Sequence, residues 1–450
     1  MVRAVRNLLL SGMLLVAATD AAAQVGLPAV RLPSLPPVSV PALPAQGLLP
    51  ASGEAAAALG ELDSRSLREL RQQRIRELLR RHRDVLEADP NGAPIVRGEL
   101  LAFAPDAGAL QAAAAAGCTV IRERALAELG ARIVVLHAPD DTARSLARLR
   151  GVDPAGNYDF NHVFLTSGAP PAGAPPAAQQ EPEERKIAAG DTPAAAVRVG
   201  LIDDGVDAQH AALRAVTIHA HGCAAAALPA VHGTAIASLL AGHAGRFRGA
   251  APGAELYAAD VFCGRPSGGA VDEIAEAFTW LMREQVAVIN VSLVGPANRT
   301  LESVVAGAVA RGYLIVAAVG NDGPAAPPLY PAAWPGVVGV TAVDARRRVL
   351  PEAARGPQVK FAAPGADMTA ALTPRGYALV RGTSFAAPIV AGLLAQELHS
   401  PDKASAAEAL AGLERRALHL GAPGLDPVFG YGLVGAELAP PPMLAGRRLE

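Results

Sequence analysis

The sequence predicts an α/β fold for residues 197–440, with a doubly wound, mainly parallel sheet flanked by helices. A small ferredoxin-like α+β domain is predicted before it at 94–166. Three observations lead to this prediction. Unbroken apolar runs alternate with helical stretches after residue 197, which is typical of a parallel sheet buried on both faces. The first domain shows the order β-α-β-β-α-β. Between the two domains, residues 167–196 are rich in Ala, Pro, Gly, Gln and Glu, which predicts a disordered linker.

Hydrophobic periodicity gives the elements of each domain in order. In the first domain we predict strands at 95–103, 119–124, 131–137 and 158–165, with helices at 106–116 and 140–150. In the second we predict strands at 197–202, 256–262, 286–293, 313–319, 337–343 and 359–362, with helices at 233–241, 271–283, 301–311 and 384–398.

Length and composition agree with this organisation. A chain of 450 residues suggests two or three folding units, and 51% apolar residues are enough to bury their cores. The formal net charge of −2 excludes an overall bias toward nucleic acid or an anionic membrane.

The N-terminus has the pattern of a secretory signal peptide, predicted at 1–23. Arg3 and Arg6 precede the apolar run 8–18, and the small residues 21–23 follow it. The alternative is an uncleaved membrane anchor, but the run is too short to span a bilayer. We therefore expect a secreted or periplasmic protein with no stable membrane span once the signal is removed.

Two further segments precede the first domain. Residues 24–60 carry regularly spaced prolines, which predict an extended linker. Residues 61–90 predict a basic amphipathic helix, for which we favour a solvated basic face over contact with an acidic partner or a lipid surface. Its basic residues include Arg65, Arg68, Arg71, Arg74, Arg80, Arg81 and Arg83.

Four polar residues lie at predicted strand ends or helix starts, where open α/β sheets bind their ligands. Asp203 ends a strand in Leu-Ile-Asp-Asp-Gly, and His232 opens a helix in His-Gly-Thr. Asn321 closes a strand in Ala-Ala-Val-Gly-Asn, and Ser384 opens a helix in Gly-Thr-Ser-Phe-Ala-Ala-Pro.

These residue types match the needs of nucleophilic catalysis by serine. A serine hydroxyl is a weak nucleophile unless an imidazole accepts its proton, and a buried carboxylate fixes the tautomer of that imidazole. An asparagine amide is a suitable donor to the oxyanion that forms on the attacked carbonyl. Asp204 is the alternative to Asp203, although a shift of one residue would turn the carboxylate to the other face of the strand.

The blocks around Asp203, His232 and Ser384 resemble the signatures of the subtilase family, and they occur in the family's Asp, His, Ser order. The resemblance extends from about 197 to 434 and implies a subtilisin-like fold and a serine endopeptidase. It assigns the triad to Asp203, His232 and Ser384 and the oxyanion donor to Asn321. The residues it implies for substrate binding are Ser292, Leu293, Val294, Gly295, Ala318, Val319 and Gly320.

Two of these residues depart from the family pattern. Val294 stands where the family usually has a glycine that lines the S1 pocket, and Val319 stands where alanine is usual. We expect these larger side chains to narrow the pocket and to favour small or apolar P1 residues.

The first domain resembles the family's propeptide, which assists folding and inhibits the active site through its C-terminal tail. The resemblance thus implies a zymogen that cleaves itself at about 164–196 and whose own propeptide is an intramolecular inhibitor. The alternative is an independent α+β binding domain that stays attached, since fold does not imply function.

We expect no cofactor and no catalytic metal. Calcium binding is common in the family, but no acidic loop here is diagnostic. The segment 219–223 contains His219, His221 and Cys223 at metal-like spacing, but zinc usually needs four well-placed ligands. Cys223 and Cys263 are candidates for a disulfide, and Cys118 lies in the first domain.

The function favoured so far is that of a protease, whose partners are protein or peptide substrates. Two other functions are alternatives to it. A pseudo-protease that acts as a binding module has no need of all four reactive positions. An α/β-hydrolase esterase has the order Ser, Asp or Glu, His and places its serine in Gly-x-Ser-x-Gly, unlike Ser384.

Overall fold

A computed structural model describes residues 64–166, 197–222, 228–245 and 247–438. The predicted signal peptide and both predicted linkers lie outside these residues. We call residues 64–166 the N-terminal domain and residues 197–438 the C-terminal domain. Within the described parts of the chain, no helix combines the length and the apolar character needed to cross a membrane.

The N-terminal domain has the predicted ferredoxin-like topology. Its elements are α1 (Ser64–Arg81), β1 (Leu86–Ala88), β2 (Pro94–Phe103), α2 (Ala107–Ala115), β3 (Thr119–Leu126), β4 (Ala131–His137), α3 (Thr142–Val152) and β5 (Tyr158–Thr166). Four antiparallel strands are arranged in the order β5-β2-β4-β3, with the short strand β1 beside β2.

The predicted basic helix is shorter than expected. It ends at Arg81 rather than near residue 90, and Leu86 is already in a strand that pairs with residues 94–96. The chain reverses because the Asp89 side chain accepts hydrogen bonds from the backbone N–H groups of Asn91 and Ala93, at 2.8 and 2.7 Å. The leucine spacing fitted a helix through residue 86, but the turn residues 89–92 were the stronger signal.

The elements of the C-terminal domain are β6 (Arg198–Asp203), β7 (Ile218–His221), α4 (Val231–Ala241), β8 (His243–Ala244), β9 (Phe247–Arg248), β10 (Glu255–Asp260), β11 (Gly269–Ala270), α5 (Val271–Arg283), β12 (Val288–Val291), β13 (Leu293–Val294), α6 (Arg299–Val309), β14 (Leu314–Ala318), β15 (Val338–Val343), β16 (Val359–Pro364), β17 (Ala366–Ala371), β18 (Tyr377–Arg381), α7 (Thr383–Ala395) and α8 (Lys403–Arg416). Seven of these strands form a parallel sheet in the order β16-β15-β14-β12-β6-β10-β7. The strand order reverses between β6 and β12, and such a switch point opens a crevice at the carboxyl ends of the strands.

Two hydrophobic cores cover the two faces of this sheet, which explains why its strands are apolar without alternation. One core joins the sheet to α4 and α7, through residues such as Ile236 and Val390. The other joins it to α5 and α6, through residues such as Phe278 and Val305. Five apolar residues of the N-terminal domain belong to this second core: Leu101, Leu126, Ile133, Val135 and Phe164. The two domains therefore share a core.

Candidate active site

Asp203 and His232 form a buried hydrogen-bonded pair. Asp203 is the last residue of the central strand β6, and His232 lies in the first turn of α4. The Nδ1 atom of His232 is 2.7 Å from Oδ1 of Asp203, and both side chains are buried. The structure thus places a carboxylate where it orients the imidazole ring through Nδ1.

Asp204 contacts the backbone instead of the imidazole. Its side chain accepts a hydrogen bond from the N–H of Gly233, so it caps the start of α4. Burial and, next, the charge of Asp203 raise the pKa of Asp204 to about 7. This geometry favours Asp203 over Asp204 as the residue that orients His232.

The other ring nitrogen of His232, Nε2, is buried, and no residue in the described ranges forms a hydrogen bond with it. Burial by itself lowers the pKa of His232. The charge of Asp203 and the hydrogen bond to it outweigh that effect, so the pKa is raised above its ordinary value of 6.5. The imidazole is therefore held ready to accept a proton at Nε2 and to carry positive charge beside Asp203.

Ser384 lies in the first turn of α7, directly before a phenylalanine that packs near His232. The ring of the following residue, Phe385, is 5.5 Å from the imidazole ring between centroids. Gly382 precedes the helix with φ of +136°, a backbone conformation that favours glycine. The N-terminal N–H groups of α7 and the positive end of its dipole lie beside Ser384.

Asn321 follows β14 and is bonded to the serine turn. Its side-chain oxygen Oδ1 accepts a hydrogen bond from the N–H of Thr383 at 3.0 Å. The N–H of Gly320 donates to the hydroxyl of Thr383 at 3.2 Å. Because Oδ1 is directed at Thr383, the amide NH₂ is the opposite end of the side chain and the one suited to donate to an oxyanion.

Strand β5 of the N-terminal domain lies antiparallel between two short edges of the C-terminal domain. Phe164 pairs with Gly269 of β11, while Leu165 and Thr166 pair with Val294 and Leu293 of β13. The segment 292–295 therefore borders a groove that holds an extended peptide.

Ser292 and Gly295, at the two ends of this segment, have different contacts. The Ser292 hydroxyl donates to the backbone oxygen of Ser384 at 3.0 Å, which ties the segment to α7. A Cβ atom added to Gly295 would lie 2.6 Å from the ring of Phe164, so a side chain there would displace Phe164.

More than half of the chain matches the model of one known family. Residues 194–432 match the family model described as the subtilase family. The chain belongs to the subtilase family.

Curated relatives of this subtilase are named as subtilisins or proteases. Subtilisin Savinase of Lederbergia lenta is 35% identical over 211 residues, covering 46% of this chain and 77% of the relative. Subtilisin DY of Bacillus licheniformis is 32% identical over 262 residues, covering 56% of this chain and 94% of the relative. The minor extracellular protease Epr of Bacillus subtilis (strain 168) is 32% identical over 206 residues, but the match spans only 32% of its length.

Among solved structures, fervidolysin from Fervidobacterium pennivorans has a similar fold, with a TM-score of 0.61 at 21% identity. The likeness covers 78% of this chain and 62% of fervidolysin. That share exceeds the length of the family match, so the similarity of fold extends beyond residues 194–432.

Val319 does not fit the pocket-lining role expected from the sequence of this subtilase. Its side chain is fully buried in the core between the sheet and helices α5 and α6. Its Cγ1 atom would lie 3.2 Å from a Cβ added to Gly339 of β15. Side chains alternate along β14, and Ala318 accordingly belongs to the core on the opposite face of the sheet. Val294 is also buried, but it pairs with Leu165 of β5 and therefore lies at the edge of the groove.

Asp272 in the first turn of α5 connects the two domains of the subtilase. Its buried carboxylate accepts hydrogen bonds from Nε of Arg122 at 3.0 Å, Nε of Arg124 at 2.7 Å and Nδ2 of Asn161 at 2.9 Å. Arg122 also forms two hydrogen bonds with Glu99, at 2.8 and 2.7 Å. Burial raises the pKa of Asp272, but the two arginines outweigh it and the pKa is lowered.

The start of α6 makes a second set of polar contacts with β5. Nδ2 of Asn298 lies 2.9 Å from both the backbone oxygen of Phe160 and Nδ1 of His162. The N–H of Arg299 donates to Asp159 at 2.7 Å. Strand β5 is thus held along its length by polar groups as well as by its terminal pairing.

The basic face of α1 is only partly solvated, whereas a solvated face was the interpretation favoured from the sequence. Arg80 and Arg81 are 74% and 48% exposed, but two arginines nearer the start of the helix contact the C-terminal domain. Arg71 forms an ion pair with Asp322 at 2.9 Å, and Arg68 donates to the backbone oxygen of Ala325 at 3.2 Å. Burial raises the pKa of Asp322, and the charge of Arg71 opposes that shift. Helix α1 therefore contacts the loop that directly follows Asn321, which the charge pattern alone did not predict.

The metal-like spacing at 219–223 does not produce a ligand cluster within the described residues. His219 stacks on Tyr257, and His221 lies 2.8 Å from Glu276. The described residues contain one group with metal-like geometry, Asp203 with Asp204 and His232, and these side chains already contact one another or the backbone of α4.

Among the cysteines, Cys263 forms a disulfide and Cys118 is a buried free thiol. Cys223, its candidate partner from the sequence, lies outside the described residues.

Proposed function

We propose that this subtilase is a secreted serine endopeptidase that is made as a zymogen and hydrolyses peptide bonds through an acyl-enzyme. The observation that carries the proposal is the buried pair of Asp203 and His232, joined at 2.7 Å beside the first turn of α7, which bears Ser384. A buried carboxylate, an imidazole and a serine at a helix N-terminus are the groups that acyl transfer needs.

In the proposed acylation step, the Ser384 hydroxyl oxygen attacks the carbonyl carbon of the scissile peptide bond, and Nε2 of His232 takes the hydroxyl proton. Asp203 holds the proton on Nδ1 and stabilises the imidazolium that forms. The amide of Asn321 and a backbone N–H at the start of α7 donate to the oxyanion.

The tetrahedral intermediate then breaks down. The C–N bond breaks as His232 returns its proton to the leaving amine, which leaves the acyl group on Ser384. Water attacks this ester with His232 again as the base, and the acid product departs with the serine restored. Removing one oxyanion donor in such a site costs about 10²–10³ in kcat.

We propose that the substrate binds as an extended strand in the place of β5. The short edges β11 and β13 offer backbone N–H and C=O groups on both sides of the groove. Strand addition of this kind gives affinity through main-chain hydrogen bonds and specificity through pockets for the side chains. Leu293, Val294 and Gly295 border the groove at one side, and Ala318 and Gly320 lie in the strand and loop before Asn321.

The zymogen proposal rests on the position of β5. A protein that keeps its own chain in the substrate groove is inhibited until that chain is cut and leaves. The C-terminal end of β5 is Thr166, so self-cleavage within about 164–196 separates the two domains. Non-local parallel sheets fold slowly, which gives a physical reason for a domain that holds α5 and α6 in place during folding.

Secretion or periplasmic export follows from the predicted signal peptide at 1–23. The Cys263 disulfide supports an oxidising destination, since disulfides persist mainly outside the cytosol.

Mass spectrometry of the purified wild type beside Ser384→Ala tests the proposal. We expect a cut between 164 and 196 in the wild type only, and labelling of the wild type only by a fluorophosphonate probe. Intact wild-type chain that still reacts with the probe would contradict self-processing and favour an attached binding domain. Wild-type chain that neither cuts nor reacts would contradict the protease and favour a binding module.

A further inference from the structure

We propose that the buried ion pair between Glu352 and Arg381 is a positioning device that keeps Ser384 and the Asn321 loop in register. This inference rests on the proposed function, because it assigns roles within the same site. Neither residue touches the reacting atoms, so both are positioning residues and not catalytic ones.

Arg381 stands directly before the serine turn. It is the last residue of β18 and is followed by Gly382, Thr383 and Ser384. Its Nε and Nη2 atoms donate to the two carboxylate oxygens of Glu352 at 2.7 and 3.0 Å. Such a two-point contact fixes the orientation of both groups, which a single contact does not do.

Glu352 also supports the Asn321 loop through its backbone. Its carbonyl oxygen accepts a hydrogen bond from the N–H of Gly323 at 2.8 Å. Two residues later, the N–H of Ala354 donates to the carbonyl oxygen of Gly320 at 3.0 Å. The segment 352–354 therefore holds the loop on both sides of Asn321.

The hydrogen bond from the N–H of Thr383 to Asn321 closes a ring of contacts. The ring runs from Glu352 through Arg381 to Thr383, across to Asn321, and back through Gly323 to the backbone of Glu352. Two loops that must meet the same substrate carbonyl, one carrying the nucleophile and one the oxyanion donor, thus share a single support.

This buried ion pair contributes more to the position of the reacting groups than to the stability of the fold. Both side chains are under a tenth exposed, at 7% for Arg381 and 0% for Glu352. Replacement of a buried ion pair by apolar residues of similar volume is often neutral or stabilising. A misplacement of reacting groups by about 1 Å costs about 10²-fold in rate. Stability and rate are therefore separable here, and this makes the inference testable.

The test is the double variant Glu352→Leu with Arg381→Met, which removes both charges and leaves neither unpaired. We expect a folded enzyme whose kcat is about 10²-fold lower, in the range of a lost oxyanion donor. We expect KM to change less than about twofold, since the groove itself is not altered. If a variant processes itself slowly, the first-order rate of self-cleavage of the full chain replaces kcat.

The same double variant made in an Asn321→Ala background separates positioning from general destabilisation. If the pair acts through Asn321, its removal should reduce kcat by less than about threefold once Asn321 is gone, because coupled residues are not additive. Equal losses in both backgrounds would overturn the inference. The control is Arg416→Met with Glu397→Gln, which removes an exposed ion pair of 3.0 Å, and we expect wild-type kcat.

A folded double variant with wild-type kcat would also overturn the inference. If the double variant fails to fold, Arg381→Lys keeps the charge but loses the two-point contact. We expect about tenfold lower kcat in that variant, a partial form of the misplacement cost. Full activity of Arg381→Lys would then be the contradicting result. A wild type that does not react with the fluorophosphonate probe is a different outcome, because it refutes the proposed function and not this support.

Discussion

The substitution Asp272→Asn tests how the N-terminal domain is held on the rest of the subtilase. Asp272 lies in the C-terminal domain and receives three hydrogen bonds from the N-terminal domain, given by Arg122, Arg124 and Asn161. Asparagine has nearly the same shape, so the change removes the charge without leaving a cavity. After separation of the domains Asp272 has no partner to lose, and we expect the mature activity to be unchanged.

The magnitude follows from the contacts that remain. Arg122 keeps both hydrogen bonds with Glu99, whereas the nearest acid left to Arg124 is Glu273 at 3.9 Å. Loss of one partner of a buried charge pair costs about 2–5 kcal/mol at an interface. Because Arg124 is 28% exposed, we take the low end of that range. A loss of about 2 kcal/mol corresponds to a dissociation constant about 30-fold higher.

The pH dependence has a defined sign. The pKa of Asp272 is lowered in the assembled chain, since the arginines outweigh burial. Its contribution to holding the domains together is therefore fully present above the ordinary aspartate pKa of 3.8, and it is lost as the pH falls through the lower, bound value. We expect acid to speed the separation of wild-type domains more than that of Asp272→Asn domains.

The assay follows the gain of peptidase activity after self-cleaved protein is diluted. Differences in affinity between variants of one interface lie mainly in the dissociation rate, so we expect about a 30-fold faster release for Asp272→Asn. The matched control is Glu276→Gln on the same helix, because Glu276 contacts His221 within the C-terminal domain. Equal release rates for wild type and Asp272→Asn, or an equally fast control, would refute the reasoning.

Four other predictions concern the site and helix α1. Asp203→Asn should lower kcat by about 10⁴-fold, as loss of a triad carboxylate does. Asp204→Asn should retain activity and shift the acid limb of the kcat/KM profile to lower pH, because the Asp204 charge raises the pKa of His232. A loss of about 10⁴-fold for Asp204→Asn would contradict this and identify Asp204 as the triad acid. Val294→Gly should admit larger P1 residues in a peptide-library profile, and a wild type that already prefers large aromatic residues without hindrance would contradict this. Arg71→Gln should speed release of the N-terminal domain by up to about fivefold, the value of a partly exposed ion pair, and unchanged release would show that α1 does not hold the domain.

The sequence predicted those features whose physical cause lies within a few neighbouring residues. Both faces of the sheet are covered, so most residues of its strands are apolar and the runs stand out in the sequence. Asp203 ends a strand, Asn321 lies shortly after one, and His232 and Ser384 lie in the first turns of helices, where a polar residue interrupts an apolar pattern. Strands β6 and β14 are parallel members of one sheet, so their carboxyl ends, with Asp203 and Asn321, lie at the same edge.

The features that were missed depend on distant partners. Arg122 and Asp272 are 150 residues apart, and the sequence does not show which of its many charges will pair. The contact of Arg71 with Asp322 was missed for the same reason, and a charged helix face was interpreted as solvated. Val319 was assigned by its position in a motif, whereas the strand pleat directs its side chain into the core.

The two edges that hold β5 are only two residues long, and this has a consequence for the released enzyme. A long, open sheet edge is a template for association with other extended chains. Unfolded polypeptides at high concentration would pair with a long, open edge of this kind and aggregate on it. The edges β11 and β13 are too short for a continuous ladder. In the enzyme that we propose, these two edges therefore bind a chain over only a few residues, and neither is long enough to start a fibril of the substrate.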